Sequence, residues 1–275
     1  MASHTAKRVL VVAGLGNGSG TGASTARLFA KNGYSVALIA RGADSVNKLT
    51  QEINSSGGHA ESFSIASYSN DDIVSAWTAI HAKFPKPEYI IRVAVFNAGF
   101  GVWKKFLDIT PQEVEESLQT NVAAAFSFSR AAILAFKDND IEQPNGKRGA
   151  LIFTGATAST RGNVVTSAFA AGKFGIRALS QSLAKEFGKE NIHVAHSIID
   201  GGSHFQLDHN LLLSNIKISV ILVDRQREKR DTEWQENEDA RLRPESIANS
   251  YLYLVNQDRS AWTWELDLRP AHEKW

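Results

Sequence analysis

Cysteine is absent from the 275 residues, which excludes a disulfide framework, a thiolate metal centre and a thiol nucleophile together. An excess of either charge is also missing: 30 Lys and Arg stand against 29 Asp and Glu, for a formal net charge of +1. With no basic stripe to act as a nucleic-acid footprint, partners recruited by bulk charge are not expected. Long apolar runs are lacking too. The opening MASHTAKRVLVVAG is broken by glycine long before it reaches a secretory layout or the about 20 residues of a membrane span. These deficits lead us to expect a soluble cytoplasmic protein that engages neither nucleic acid nor membrane.

What the chain does have is alternation. Its length suits one α/β domain with a sizeable core, so residues 1–275 are read as a single unit. A strand at Arg8 to Ala13, a glycine-rich turn, a helix from about Ala23 to Asn32 closed by Gly33, and the strand YSVALIA make a βαβ unit. A helix near Ser45 to Ser55, a strand at Glu61 to Ile65 and a helix from Asp71, with SNDD supplying N-caps, continue the pattern. YIIRVAVFNAG reads as a strand buried on both faces. DITPQEVEESL opens a helix with Thr110 as N-cap, Pro111 at the first helical position and Glu113 in the first turn. Asn121 interrupts the apolar continuation of that helix. The strand GALIFTG, the helix SAFAAGKFGIRALSQSLAKEF, the strand IHVAHSIID and a closing strand in SAWTWELDLRP follow. The expected fold is α/β, a Rossmann-like doubly wound parallel sheet with helices on both faces.

Chemistry enters at the first turn, AGLGNGSGTGAS. Glycines between a strand and a helix allow tight turning and close backbone approach, so that a pyrophosphate can sit on free N–H groups at the helix N-terminus. Gly16, Asn17, Gly20, Thr21 and Gly22 are therefore the candidate phosphate cradle. The second strand ends in LIARG, with Arg41 near the place where an acidic residue would hold a ribose 2′-hydroxyl. An arginine there pairs with a 2′-phosphate and favours NADP over NAD, although a solvated loop arginine is the plain alternative.

The spaced glycines, FNAG at Phe96 to Gly99, TNVAAAF around Asn121, IFTGATAS from Ile152 and the helix bearing Lys173 together resemble the short-chain dehydrogenase/reductase family over nearly the whole chain. The closing RSAWTWELDLRP is similar to that of an atypical subgroup. The resemblance implies about seven parallel strands, a dinucleotide at their C-terminal edge, a small-molecule substrate and a homodimer or homotetramer. It also implies a tetrad of Asn, Ser, Tyr and Lys, in which tyrosine gives a proton to the substrate oxygen as hydride arrives, lysine tunes it and holds the ribose, serine polarises the carbonyl and asparagine holds a relay water. Asn121 and Lys173 match two of these positions, and Asn97, Ala98 and Gly99 join the dinucleotide contacts. Ser67 stands where an aspartate usually meets the adenine.

Two positions depart from the pattern. Phe169 occupies the tyrosine position four residues before Lys173, and the serine position falls on or near Ala156, flanked by Thr154, Thr157 and Ser159. A positioned acid is typically worth ~10²–10⁴ in rate, and phenylalanine has no proton to give. Three routes remain: a surrogate donor among Thr157, Thr166, Asp200 and His204; a substrate already cationic, such as an iminium; or no redox chemistry, as in a cyclase, an isomerase or a nucleotide-binding pseudo-enzyme. Asn121 and Thr157 are the catalytic candidates. Asp200, which replaces the usual proline, is either a proton donor raised by desolvation or a solvated turn residue.

The remaining features read as structural. Phe126, Phe128 and Phe136 suit the core or a subunit interface. His193 and His196 alternate along a strand without a carboxylate at metal-ligand spacing, so no metal site is expected. The charged run after Asp224 reads as a solvated helix face. Ser203 to Val223 is either a substrate-covering lid or a segment foreign to the fold.

Overall fold

A computed structural model describes residues 6–200, 202–203 and 238–272. His204 and the proposed lid or insert, apart from Ser203, lie outside the described residues. Within them, seven parallel strands form one sheet: β1 (Lys7–Ala13), β2 (Ser35–Ala40), β3 (His59–Ser64), β4 (Tyr89–Phe96), β5 (Gly149–Thr154), β6 (Ile192–Ile199) and β7 (Glu265–Leu268), in the order β3-β2-β1-β4-β5-β6-β7. Beside the sheet, Gly202–Ser203 pairs with Arg241–Leu242. The expected doubly wound sheet is present.

Side-chain alternation explains why both faces are covered. In β1, Val9, Val11 and Ala13 point into one core while Leu10 and Val12 point into the other. The first core is closed by α3 (Asn70–Lys83), α5 (Ala124–Lys137) and α6 (Ser167–Phe187), through residues such as Trp77, Phe128 and Ile176. The second is closed by α1 (Thr21–Lys31), α2 (Ala43–Ser55) and α7 (Pro244–Asn256), through Phe29, Leu49 and Tyr251. Tyr251 is fully buried, so the C-terminal part of the charged run is a core helix and not merely a solvated face.

Helix ends follow the local sequence. Ser69 caps α3 by accepting from the Asp72 N–H at 3.1 Å. Thr110 and Glu113 form a reciprocal capping box at α4 (Pro111–Leu118), with Pro111 in the first turn. Between α4 and α5 the chain makes a π-helical turn, Gln119–Ala123, which is where Asn121 interrupts the apolar pattern. Such single-turn widenings recur at functional sites.

Strand order reverses between β1 and β4, which makes their C-terminal ends the switch point of the sheet. Gly14 (φ +94°) leaves β1 there, and a Cβ on it would collide with the Ala98 backbone. Asn97 then donates from Nδ2 to the Gly14 carbonyl at 2.7 Å. Gly14→Ala should therefore destabilise the protein by at least ~2 kcal/mol, since left-handed backbone strain adds to a clash with immobile main chain. Denaturant unfolding checks this, and an unchanged midpoint would refute the contact.

Candidate functional site

The glycine loop and the loop after β4 meet at the switch point. Gly22 in the first turn of α1 packs against the Gly14 carbonyl and the Asn97 amide with no room for a Cβ. Gly16 (φ +58°) and Gly18 (φ +93°) are left-handed, and a Cβ on either would face open space. Asn17 closes the loop, its Oδ1 accepting from the Ser19 N–H at 3.1 Å and hydroxyl at 2.6 Å. Gly20 is the N-cap of α1, with no capping side chain and no acidic residue in the first turn. Thr21 begins the helix, and its carbonyl accepts from the Thr25 hydroxyl at 2.8 Å.

Asn121 is fully buried and anchors the next layer. Its Nδ2 donates to the Phe100 carbonyl (2.7 Å) and the Ser117 carbonyl (2.9 Å), and its Oδ1 accepts from the Phe100 N–H (3.3 Å). Ser117 in turn donates to the Ala168 carbonyl at 2.9 Å. Both amide hydrogens of the asparagine and one lone pair of its oxygen are thus taken by protein groups, which pins the β4 loop to α4. Gly172 lies against this amide, and Gly99 lies against both Asn121 and Lys173.

Lys173 is buried, and its ammonium donates to the Thr154 carbonyl at the end of β5, 3.0 Å away. Burial pushes its pKa down to about 8. One turn earlier Phe169 is half-buried, its ring centroid 5.7 Å from the Lys173 ammonium and 5.1 Å from the Trp103 ring. The residues expected from Asn97 to Gly99, Asn121, Phe169 and Lys173 are therefore brought together.

The hydroxyls around Ala156 are largely committed elsewhere. Thr154 Oγ1 shares a 2.7 Å hydrogen bond with the Tyr251 hydroxyl, and buried Ser159 Oγ accepts from the Ala156 N–H at 3.1 Å. Thr166 is occupied with Asn163 at 2.9 Å. Thr157 donates to Asp200 Oδ1. Asp200 is only 4% exposed, and Arg269 and Arg161 face its other oxygen. This corrects the reading of Asp200 as a solvated turn residue: the closing strand β7 delivers Arg269 to it, and the Asp200 N–H donates to the Leu268 carbonyl at 3.0 Å.

At the far end of the mouth, Arg41 stands 3.7 Å from Glu116 and over the Tyr68 ring at 5.4 Å, half in solvent. Ser67 donates its hydroxyl proton to Asp72 Oδ2 at 2.7 Å, so it serves the N-terminus of α3. His196 is fully buried behind Gly155 and does have a carboxylate neighbour, Glu265, at 3.6 Å across the β6–β7 pairing. Burial pushes the pKa of His193 and His196 down to about 4. Among the described residues no cluster of His, Cys, Asp or Glu is arranged to hold a metal. Phe128 and Phe136 are core residues, whereas Phe126 is exposed.

A family model described as short chain dehydrogenase matches residues 7–202. The chain belongs to the short chain dehydrogenase family. Among its relatives, the Bacillus subtilis (strain 168) protein called "Uncharacterized oxidoreductase YxnA" is 28% identical over 197 residues, covering 71% of this chain, which spans about half (51%) of that relative's length. A 3alpha-hydroxysteroid dehydrogenase of Mediterraneibacter gnavus is 24% identical over 253 residues, 91% of each chain. A solved short-chain dehydrogenase from Rhodopseudomonas palustris superposes with a TM-score of 0.71 at 28% identity, covering 96% of this chain and 98% of its own. A metagenomic short-chain oxidoreductase in complex with NADP shares the fold, with a TM-score of 0.70 at 24% identity over 98% of this chain and 99% of its own.

Sequence reasoning missed Trp103, Tyr251, Arg161 and Arg269. Arg269 was visible only as a single basic residue after a strand, and Trp103 only as an aromatic in a glycine-rich loop; neither has a spacing that marks a site. In this short chain dehydrogenase the buried amine yields a pH signature. The unfolded chain keeps the lysine proton up to the ordinary 10.5 and the folded protein releases it near 8, so unfolding takes up a proton between these values and stability rises with pH there. Wild type should gain up to ~3 kcal/mol over Lys173→Met between about pH 8 and pH 10.5, with no relative change at lower pH. Urea unfolding of both proteins across that range measures it, and parallel profiles would sink the assignment.

Proposed function

We propose that the chain is an NADP-dependent oxidoreductase of the cytoplasm that reduces a small-molecule carbonyl or imine, with an active site lacking the family's tyrosine and serine hydroxyls. The observation that carries this reading is the convergence of Lys173, Asn121 and Gly99 beside a glycine loop, with Phe169 alone occupying the turn before the lysine. A dinucleotide fits these residues. Left-handed Gly16 and Gly18 face open space, and the first turn of α1 has no side chain competing with a phosphate for its N–H groups.

Gly16, Asn17, Gly20, Thr21 and Gly22 would receive the pyrophosphate. Asn97, Ala98 and Gly99 would line the nicotinamide half, and the Lys173 ammonium would hold ribose hydroxyls with its remaining hydrogens. Ser67 would flank the adenine, although its backbone N–H and its hydroxyl proton both go to Asp72. A reduced nicotinamide bound there supplies a hydride to the substrate carbon. Asn121 acts by fixing the loop over the site, and Thr157 is the part-buried hydroxyl beside the serine position, donating to Asp200.

Solved proteins of the same fold carry NADP or, in a Brucella melitensis reductase, NAD, so the choice of cofactor rests on Arg41. Its guanidinium would exchange the loose Glu116 contact for a bidentate 2′-phosphate. Arg41→Ala should weaken NADPH binding at least tenfold and leave NADH binding within twofold, on the scale of a charge-assisted hydrogen bond. Calorimetry with both nucleotides decides, and equal losses for the two would point to NAD. An apolar stripe of Val114, Leu118, Phe126 and Leu134 supports a homodimer or homotetramer.

A second reading, a cyclase, an isomerase or a nucleotide-binding pseudo-enzyme, is favoured by Phe169 itself, which can shape a pocket but cannot move a proton. Phe169→Tyr separates the two. The lysine ammonium is close enough to the ring for an added hydroxyl to approach it, and a restored acid should raise ketone reduction by ~10²-fold or more in an NADPH absorbance assay. No gain in a folded, NADPH-binding variant would favour the non-redox reading.

A further inference from the structure

Thr157 has one hydroxyl hydrogen, and Asp200 takes it. A carboxylate accepts only, so the direction of this hydrogen bond is settled by chemistry. Asp200 in turn is held by Arg269, with Arg161 at 3.8 Å, and Arg269 also donates to Asp267 at 3.0 Å. A serine in this part of the family's site polarises a ketone by donating to its oxygen. Thr157 cannot do so without giving up Asp200. While that bond holds, a group that approaches the Thr157 oxygen meets only its lone pairs.

From this arrangement we propose that the Arg269–Asp200–Thr157 chain makes Thr157 a hydrogen-bond acceptor toward the substrate, selecting a protonated imine, whose N–H donates, over a neutral ketone. The inference rests on the hydride-transfer reading above and names its substrate class. It also removes the need for the missing acid. The hydride that a bound reduced nicotinamide would supply would add to the iminium carbon, the π pair of the C=N bond moving onto nitrogen, and a neutral amine would result with no proton taken up. A ketone in the same position would leave an alkoxide facing Phe169 and the lone pairs of Thr157.

Asp200 and Asp267 balance Arg269 and Arg161, so the positive charge left among these groups is that of the Lys173 ammonium, which donates to the neutral Thr154 carbonyl. Arg269 arrives on the end of β7, one residue after the Leu268 carbonyl that receives the Asp200 N–H, so the closing strand fixes the carboxylate in both position and orientation. Thr157 is the specificity-determining residue in this scheme, and Asp200 and Arg269 are positioning residues.

The test compares 2-methyl-1-pyrroline, its N-methyl iminium, which has no N–H, and cyclopentanone as substrates with NADPH at fixed pH. Wild type should favour the N–H iminium over both others in kcat/KM. Thr157→Val should lower that value roughly ten- to hundredfold, the scale of a hydrogen bond to a charged group. The N-methyl iminium should change little, Thr157→Ser should restore the preference, and NADPH affinity by calorimetry should stay within twofold. Ketone turnover equal to that of the imine in wild type, or an unchanged preference in Thr157→Val, overturns the proposal. If no substrate is turned over, the hydride-transfer reading fails, and the acceptor role is judged by calorimetry of pyrrolidine against cyclopentanol on NADP⁺-loaded protein. A preference for the amine that Thr157→Val abolishes supports the acceptor role, and equal binding overturns it.

Discussion

The mouth of the sheet depends on one buried amide. Asn121 holds the Phe100 backbone by both its N–H and its carbonyl and binds the Ser117 carbonyl four residues earlier, inside a π-helical turn that directs the side chain inward. An ordinary α-helical turn would change the angular position of every residue after it on α5. The widened turn sets the asparagine between the loop after β4 and the helix carrying Lys173. The amide fills the space a Cβ on Gly172 would need, and a Cβ on Gly99 would lie tightly against the amide oxygen with the ammonium at contact distance. Removing the amide would take away the protein partner of both the N–H and the C=O of part-buried Phe100, a cost felt at the β4 loop before it is felt in any chemistry.

A second constraint follows from burying Lys173. An amine in low dielectric needs oxygen ligands, and the nearest is the last carbonyl of β5. That bond orients the amine toward the C-terminal edge of the sheet, where the switch point opens and where Gly14 and Asn97 have already joined the first and fourth strands. The glycine loop, the lysine and the asparagine therefore form one connected scaffold, with the phosphate-facing helix end on one side and Phe169 on the other.

Most of the fold was legible because its signals are local. The short apolar run VLVV, the Thr110 capping box and left-handed Gly33 each report on a few neighbouring residues, and the structure follows them closely. The cofactor half of the site was legible for the same reason, since glycine spacing and the strand-turn-helix context lie within one stretch of chain. The other half was not. Asp200 looked like a turn residue because its partners, Thr157 and Arg269, lie 43 and 69 residues away in sequence. His196 looked isolated because Glu265 belongs to a strand that pairs only in the finished sheet.

The same distinction separates loss from replacement at the reacting end. Reading along the chain, the family resemblance implies hydroxyls at Phe169 and on or near Ala156, and neither of these two residues carries one. Across the fold, the Trp103 ring lies tilted against Phe169, and the proton of Thr157 already goes to Asp200. An apolar wall and an acceptor do not make a weakened version of a proton-donating site; they have the opposite polarity. A donor site stabilises negative charge building on oxygen, whereas an acceptor beside an aromatic face suits a positive charge that disappears as hydride arrives. Arg269 is what keeps this polarity fixed. By facing the far oxygen of Asp200 it leaves the near oxygen to Thr157, so the orientation of the Thr157 hydroxyl follows from an ion pair set by the last strand of the sheet.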